Sequence, residues 1–240
     1  MHSPFVFDFI LNVLNNGKNY NPPGAIEDLR NELQKDHELL EVEDLGAGSR
    51  MSAAKTKTVT QLAYTALKPK KYARLLYRVA KHYQPQTIVE LGTCLGLTTA
   101  YLSYACPAAQ IITIEGSTAI TTKARANFKK LGIHNIQSLQ GDFDKVLPGI
   151  LKNENIIDLA YIDGNHRYEP TMRYFNQFLN KSSDASILVF DDIHWSKEME
   201  RAWSEIKEHP AVQYTIDVFF LGFVFFRKEF KVKQHFKIRF

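Results

Sequence analysis

Val89-Glu90-Leu91-Gly92-Thr93-Cys94-Leu95-Gly96-Leu97-Thr98 passes from a β-branched apolar run into a helical one across two glycines. Thr87–Leu91 is short and apolar, which favours a strand, whereas Leu97–Ala105 is spaced like a helix. Glycine at 92 and 96 lets the backbone turn sharply and approach a ligand with no Cβ in the way. A strand entering a helix through such a loop opens a βαβ unit, and in open α/β sheets ligands sit at the carboxyl ends of the strands.

Downstream of the loop the alternation continues. Gln110–Glu115, Ile136–Gln140, 157–163 and 186–191 read as strands; 119–131, Tyr168–Leu179 and Lys197–Glu208 read as helices. The strands are almost uninterrupted in apolar residues, as strands covered on both faces should be. Residues 214–220 and 223–227 are strand-like with only Leu221-Gly222 between them. Two residues cannot carry a parallel crossover, so this pair is expected to be an antiparallel hairpin. The pattern predicts an α/β fold: a doubly wound, mostly parallel sheet of seven strands ending in a reversed hairpin. It spans residues 85–240, behind a helical N-terminal cap with a mobile basic loop over residues 1–84.

In the cap, Ile26, Leu29, Leu33 and Leu40 recur at helical spacing after the turn Asn21-Pro22-Pro23-Gly24. Residues 49–60 lack an apolar period and read as a loop, and Tyr72, Leu76, Val79 and Tyr83 mark a helix that Pro85 ends. Charge is uneven along the 240 residues: 25–44 hold eight acids and two bases, while 45–89 hold nine bases and no acid. The tail 227–240 holds six bases and one acid. Such runs suit a solvated face, or contact with RNA or another polyanion as the less favoured reading. The two cysteines, Cys94 and Cys106, make no disulfide framework, which points to the reducing cytoplasm. The apolar run 5–14 is interrupted by Asp8 and has neither a basic flank nor a cleavage site, so no signal peptide is expected. No window approaches a membrane span, so no membrane partner is expected.

The carboxylates fall at strand ends. Glu115 closes the second strand, 23 residues after Gly92, where an acid can accept from both hydroxyls of a ribose. Asp142-Phe143 follows the third strand, where an acid can bond an adenine amine and a ring can pack on the base. Glu90 and Asp163 bring negative charge towards a positively charged group. Thr93 and Gly116 complete the set. The glycine pattern is G-x-x-x-G rather than the G-x-G-x-x-G of dinucleotide sites, which argues against a dinucleotide-dependent oxidoreductase and suits S-adenosylmethionine, a nucleoside without phosphate.

On these residues the segment 85–227 resembles class I S-adenosylmethionine-dependent methyltransferases, closest in motif style to the catechol-type O-methyltransferases. The resemblance makes residues 90–96 the first motif, Glu115 the ribose acid, Asp142 the adenine-side acid, and the hairpin the reversed seventh strand. It implies methyl transfer to a hydroxyl of a small molecule.

Asp163 and, 28 residues later, Asp191-Asp192 end adjacent strands, so three carboxylates converge. Such oxygen-rich sets suit Mg²⁺ or another divalent cation, and the resembled family uses a similar triad. Here Asp192 stands where Asn is usual in that family, and His166 where Lys is usual. His166 and His194 are the candidates for taking a proton, with Asp163 beside them. Trp195, Tyr168 and Phe143 are candidate walls for an aromatic acceptor. Asp44-Leu45-Gly46-Ala47-Gly48-Ser49 also looks like a first motif, but no strand–helix–strand follows it, so it reads as a lid loop. Cys94 has no activating neighbour in sequence and is given no chemistry. Two alternatives stay open: a methyltransferase of RNA or another polyanion, and a non-catalytic binding protein retaining the fold. A homodimer through the cap is a further expectation.

Overall fold

The computed structural model describes residues 3–16, 21–42, 55–230 and 232–240. The chain opens with α1 (Pro4–Asp8), capped by the Ser3 side chain, and runs on as a π-helical turn, Phe9–Leu14. The Val13 and Leu14 carbonyls at its end accept from the buried Arg78 guanidinium at 2.5 and 3.4 Å, which satisfies acceptors a helix end leaves open. In α2 (Gly24–Leu33) the Ile26, Leu29 and Leu33 stripe is buried. Leu40, expected to prolong that stripe, lies on β1 (Leu39–Val42), where strand alternation buries Leu40 and Val42.

β1 pairs antiparallel with β2 (Lys55–Thr58), and Thr58 then starts α3 (Val59–Thr65) through a capping box with Gln61. Residues 55–60, expected as loop, are therefore strand and helix. Residues 49–54 of that loop, and the glycine-rich segment 44–49, lie outside the described residues. α4 (Lys70–Tyr83) ends on Gln84, left-handed at φ 49°, just before Pro85.

The alternation then runs as β3 (Thr87–Leu91), α5 (Leu97–Ala105), β4 (Gln110–Glu115), α6 (Thr118–Lys130) and β5 (Ile136–Gln140). It continues through α7 (Phe143–Asn153), β6 (Leu159–Ile162), α8 (Tyr168–Leu179), β7 (Ile187–Asp191) and α9 (Lys197–Glu208). The end is β8 (Tyr214–Asp217), β9 (Leu221–Phe225) and β10 (Gln234–Lys237). α7 had no sequence expectation, and Pro148 and Gly149 sit inside it. Its Asp142 cap and buried Leu147, Ile150 and Leu151 hold it nonetheless.

Among the described residues, eight strands form one sheet in the order β5-β4-β3-β6-β7-β9-β8-β10. All neighbours are parallel except β9, which runs antiparallel to both β7 and β8. The seven expected strands are present, and β10 adds an eighth beside β8, where Phe236 packs on Tyr214 at 5.6 Å between ring centroids. The hairpin turn is not Leu221-Gly222 but residues 218–220, with Phe219 at φ 76°. Gly222 lies on β9 for a different reason. A Cβ there would come within 2.6 Å of the Trp203 ring.

Alternate residues of each central strand face different cores. Ile88, Ile111, Leu159 and Ile187 join a cluster with the N-terminal helices, α4 and α5, while Val89, Ile112, Ala160 and Leu188 join one with α7, α8 and α9. Both faces are thus covered, as the apolar strands require. The charge runs tie the cap together and to the sheet domain: Glu27 accepts from Lys70 and Arg74 within the cap, and Lys123 of α6 bonds Asp36 and Glu38 across to it at 2.5 and 2.6 Å. Lys71 lies 4.4 Å from the centre of the Phe240 ring. Much of the basic stretch is therefore engaged within the molecule rather than arrayed along one free face. No helix among the described residues is long and apolar enough to cross a membrane.

Candidate functional site

The strand order reverses between β3 and β6, and the carboxyl ends beside that switch point frame a cavity of about 730 Å³. Gly92 sits at its floor with φ 98°; its N–H, and that of Thr93, donate to the Ile114 carbonyl at 3.0 and 3.2 Å. Gly96, at φ 81°, is the N-cap of α5 and passes close under the Phe128 ring. Glu115 lines the cavity from the end of β4, and its two oxygens accept from the backbone N–H of Cys94 (2.9 Å) and Ser117 (3.1 Å). Burial pushes its carboxyl up and these N–H groups pull it back, leaving it above the usual value. Asp142 caps α7 by accepting from the Asp144 N–H at 2.8 Å, while Phe143 follows it against Gly164.

Of the cofactor-side residues expected from the sequence, Gly92, Glu115, Gly116, Asp142, Phe143 and Asp163 line this cavity. Glu90, Thr93 and Gly96 do not. Thr93 is buried, with its hydroxyl 2.6 Å from that of Thr113. Cys94, set aside at the sequence level, does line the cavity, but burial pushes its thiol up to about 12, so it is no nucleophile.

Glu90 is fully buried, and its Oε2 accepts from the hydroxyls of Thr99 and Thr113 while Oε1 has no partner. Burial pushes its pKa up to about 8 from 4.5, against the pull of the two hydroxyls. Between these values only the folded chain holds the proton, so stability falls as pH rises through that window, by up to about 1.4 kcal/mol per unit. Thermal melts at pH 5, 6.5 and 8 should show this slope in the wild type and a flatter one in Glu90→Gln. Equal slopes in the two proteins would contradict the assignment.

At the other end of the cavity β6 and β7 deliver Asp163 and Asp191. Tyr161 donates its hydroxyl to Asp163 Oδ2 at 2.8 Å, and His166 Nε2 lies 3.6 Å from Asp163 Oδ1. Asp191 is 1% exposed and is bonded by the Lys68 ammonium, which also lies 4.0 Å from Asp163 Oδ2. Burial pulls the Lys68 pKa down, but the charges of Asp163 and Asp191 outweigh it and hold the ammonium above its usual value. Sequence reasoning left Lys68 among nine undistinguished bases. The signal beside it was Pro69, which restrains the preceding residue to extended backbone and so keeps Lys68 out of α4.

The expected metal set was Asp163, Asp191 and Asp192. The side chains that actually converge are Asp163, His166 and Asp191, with ligand atoms within 4.8 Å of one another. Asp192, at φ 52°, is not among those converging ligands, although it lines the cavity and its charge acts on Lys68. Asp163 and Asp191 could serve a divalent ion only if the Lys68 ammonium withdrew. As arranged, the donor set does not fit one.

His194, expected to take a proton, does not face the cavity. Its Nε2 lies 2.8 Å from Asp217 Oδ2 at the end of β8, and Nδ1 lies 3.6 Å from Glu200. Tyr168 likewise faces away, bonding Glu205 and lying 3.9 Å under Arg201. The aromatic side chains that do line the cavity beyond Phe143 are Tyr64, Tyr174, Trp195 and Phe220. The cap contributes Val42, Lys57, Leu62 and Leu67 to the same wall.

Residues 89–193 match the family model described as a methyltransferase domain. Over 74 residues the chain is 36% identical to the protein-L-isoaspartate O-methyltransferase of Azorhizobium caulinodans, covering 31% of this chain and 33% of that one. An uncharacterised protein of Acanthamoeba polyphaga mimivirus is 32% identical over 89 residues, covering 34% and 40%. The chain thus spans well under half the length of these curated relatives. Among solved structures, the S-adenosylhomocysteine-bound methyltransferase PaMTH1 of Podospora anserina superposes with a TM-score of 0.67 at 15% identity, over 95% of this chain and 98% of that one. The O-methyltransferase TomG of Streptomyces achromogenes, solved with S-adenosylmethionine, superposes at 0.66 with 16% identity over 90% and 96%. At such identities the likeness speaks for the fold. The fold is shared with these S-adenosylmethionine- and S-adenosylhomocysteine-bound methyltransferases, and the family match places a methyltransferase domain within it. Within this chain, residues 89–193 are the part that matches that domain.

Proposed function

We propose that this protein transfers a methyl group from S-adenosylmethionine to a hydroxyl of a small molecule, in the reducing cytosol that its two free thiols suit. One observation carries the reading: the Glu115 carboxylate, the Gly92 turn and the Asp142-Phe143 corner, each at a strand end, line one cavity. In this reading Glu115 holds the ribose hydroxyls, Asp142 and Phe143 hold the adenine, and Asp163 faces the amino and sulfonium end. The cofactor supplies an electrophilic methyl on a positively charged sulfur. His166, oriented by Asp163, takes the proton of the acceptor hydroxyl, and the aromatic side chains and the cap exclude water from the cavity.

Isothermal calorimetry tests the reading. Wild-type protein is expected to bind S-adenosylmethionine, and Glu115→Ala to weaken binding by about 10- to 100-fold, as loss of charge-assisted hydrogen bonds would. An unchanged affinity in Glu115→Ala, with the fold intact by circular dichroism, would remove the ribose assignment. No heat from the wild type would remove the enzyme reading itself.

A further inference from the structure

Lys68 lies between α3 and α4, and its neighbours Ala66, Leu67 and Pro69 line the cavity with it. Its side chain is 9% exposed, so the ammonium is enclosed rather than a surface charge resting nearby. It bonds Asp191 Oδ2 and stands 4.0 Å from Asp163 Oδ2. Asp191 Oδ1 is also buried and has no partner. The buried Asp191 carboxylate needs a countercharge, and the ammonium already supplies it. Asp192 lines the same cavity and its charge also acts on the ammonium, so a divalent ion would have to share Asp163 and Asp191 with a cation already seated on them.

We propose that Lys68 is a built-in cation standing where a divalent metal would stand, and that the acceptor end of this cavity works without a bound metal. The chemistry rests on the O-methyltransferase reading, while the cation claim is tested without turnover. In the reaction the acceptor O–H gives its proton to His166 Nδ1, the ring nitrogen not facing Asp163, and from there to solvent. A lone pair of the acceptor oxygen forms the O–CH₃ bond, and the S–CH₃ pair stays on sulfur. The Lys68 ammonium steadies the oxygen as negative charge develops on it, and Asp191 holds that ammonium in place.

The full chain is titrated with Mn²⁺ and free ion is followed by electron paramagnetic resonance, with Mg²⁺ repeated by calorimetry. Wild-type protein is expected to show no site tighter than about 1 mM. Lys68→Met is expected to gain one Mn²⁺ site at least about tenfold tighter, and Lys68→Met with Asp191→Asn to lose it again. Lys68→Gln, which leaves a donor for Asp191, takes its place if Lys68→Met is recovered unfolded. A stoichiometric site in the wild type, or no gain in a folded Lys68 variant, would overturn the proposal. Calorimetry with S-adenosylmethionine on the same samples separates the two readings: a protein that binds no cofactor loses the enzyme reading, while the Mn²⁺ titrations still decide the cation.

Discussion

Gly92→Ala is expected to be the most damaging glycine-to-alanine substitution among the glycines of the described residues, costing about 3 kcal/mol or more of stability. A Cβ at that position would overlap the Asp163 carbonyl oxygen and lie 3.0 Å from its carbon. Neither partner can move easily. Asp163 is held by its own N–H donating to the Leu91 carbonyl at 2.9 Å, at the end of the β3–β6 ladder. The backbone of residue 92 is at φ 98°, which an L side chain resists even without the overlap. Two other glycines calibrate the result. Gly132 has the left-handed φ of 66° but open space around it, so Gly132→Ala should cost about 1 kcal/mol. Gly149 sits inside α7 with open space and an ordinary φ, so Gly149→Ala should be neutral or stabilise by up to about 1 kcal/mol. Urea unfolding of the three variants checks the order. A Gly92→Ala midpoint indistinguishable from the wild type would mean that the loop does not approach β6 as described.

The sheet was legible in the sequence because burial on both faces leaves an unbroken apolar signature. Ile88, Val89, Ile111 and Ile112 mark strands whichever way each side chain points. The reversed hairpin was legible from chain length alone, yet its turn was displaced: Gly222 read as a turn residue, whereas it makes room for Trp203. β10 was hidden because edge strands need not be apolar on both faces, and only Gln234 and Phe236 turn partly inward. In the cavity, the strand-end acids Glu115, Asp142 and Asp163 could be placed by counting along the alternation. Glu90 could not, since a residue one position before a strand end points to the opposite side from its successor, in this case into Thr99 and Thr113. His194 and Lys68 exchanged importance for a similar reason. Whether a side chain on a connecting segment enters a cavity depends on tertiary approach, and Asp217 on β8 captured His194 while Asp191 captured Lys68.

The second large effect is expected from a double-mutant cycle on that captured lysine. Lys68→Met should destabilise the fold by about 3–5 kcal/mol, because it leaves Asp191 buried and uncompensated beside Asp163. Combining it with Asp191→Asn removes the stranded charge, so the double variant should be more stable than Lys68→Met alone, with a coupling of at least about 2 kcal/mol. The pH dependence has a definite sign. The Lys68 pKa is raised in the folded chain, so the pair's contribution is fully present below the ordinary lysine value of 10.5 and is lost only as pH rises through the higher folded value. The coupling between positions 68 and 191 should therefore shrink as pH rises beyond about 10. Salt should leave that coupling nearly unchanged, since the pair is enclosed, whereas the exposed Lys130–Glu32 pair at the cap should be screened away. Additive single effects, with no coupling between positions 68 and 191, would show that the ammonium does not compensate Asp191, and the built-in cation would go with it.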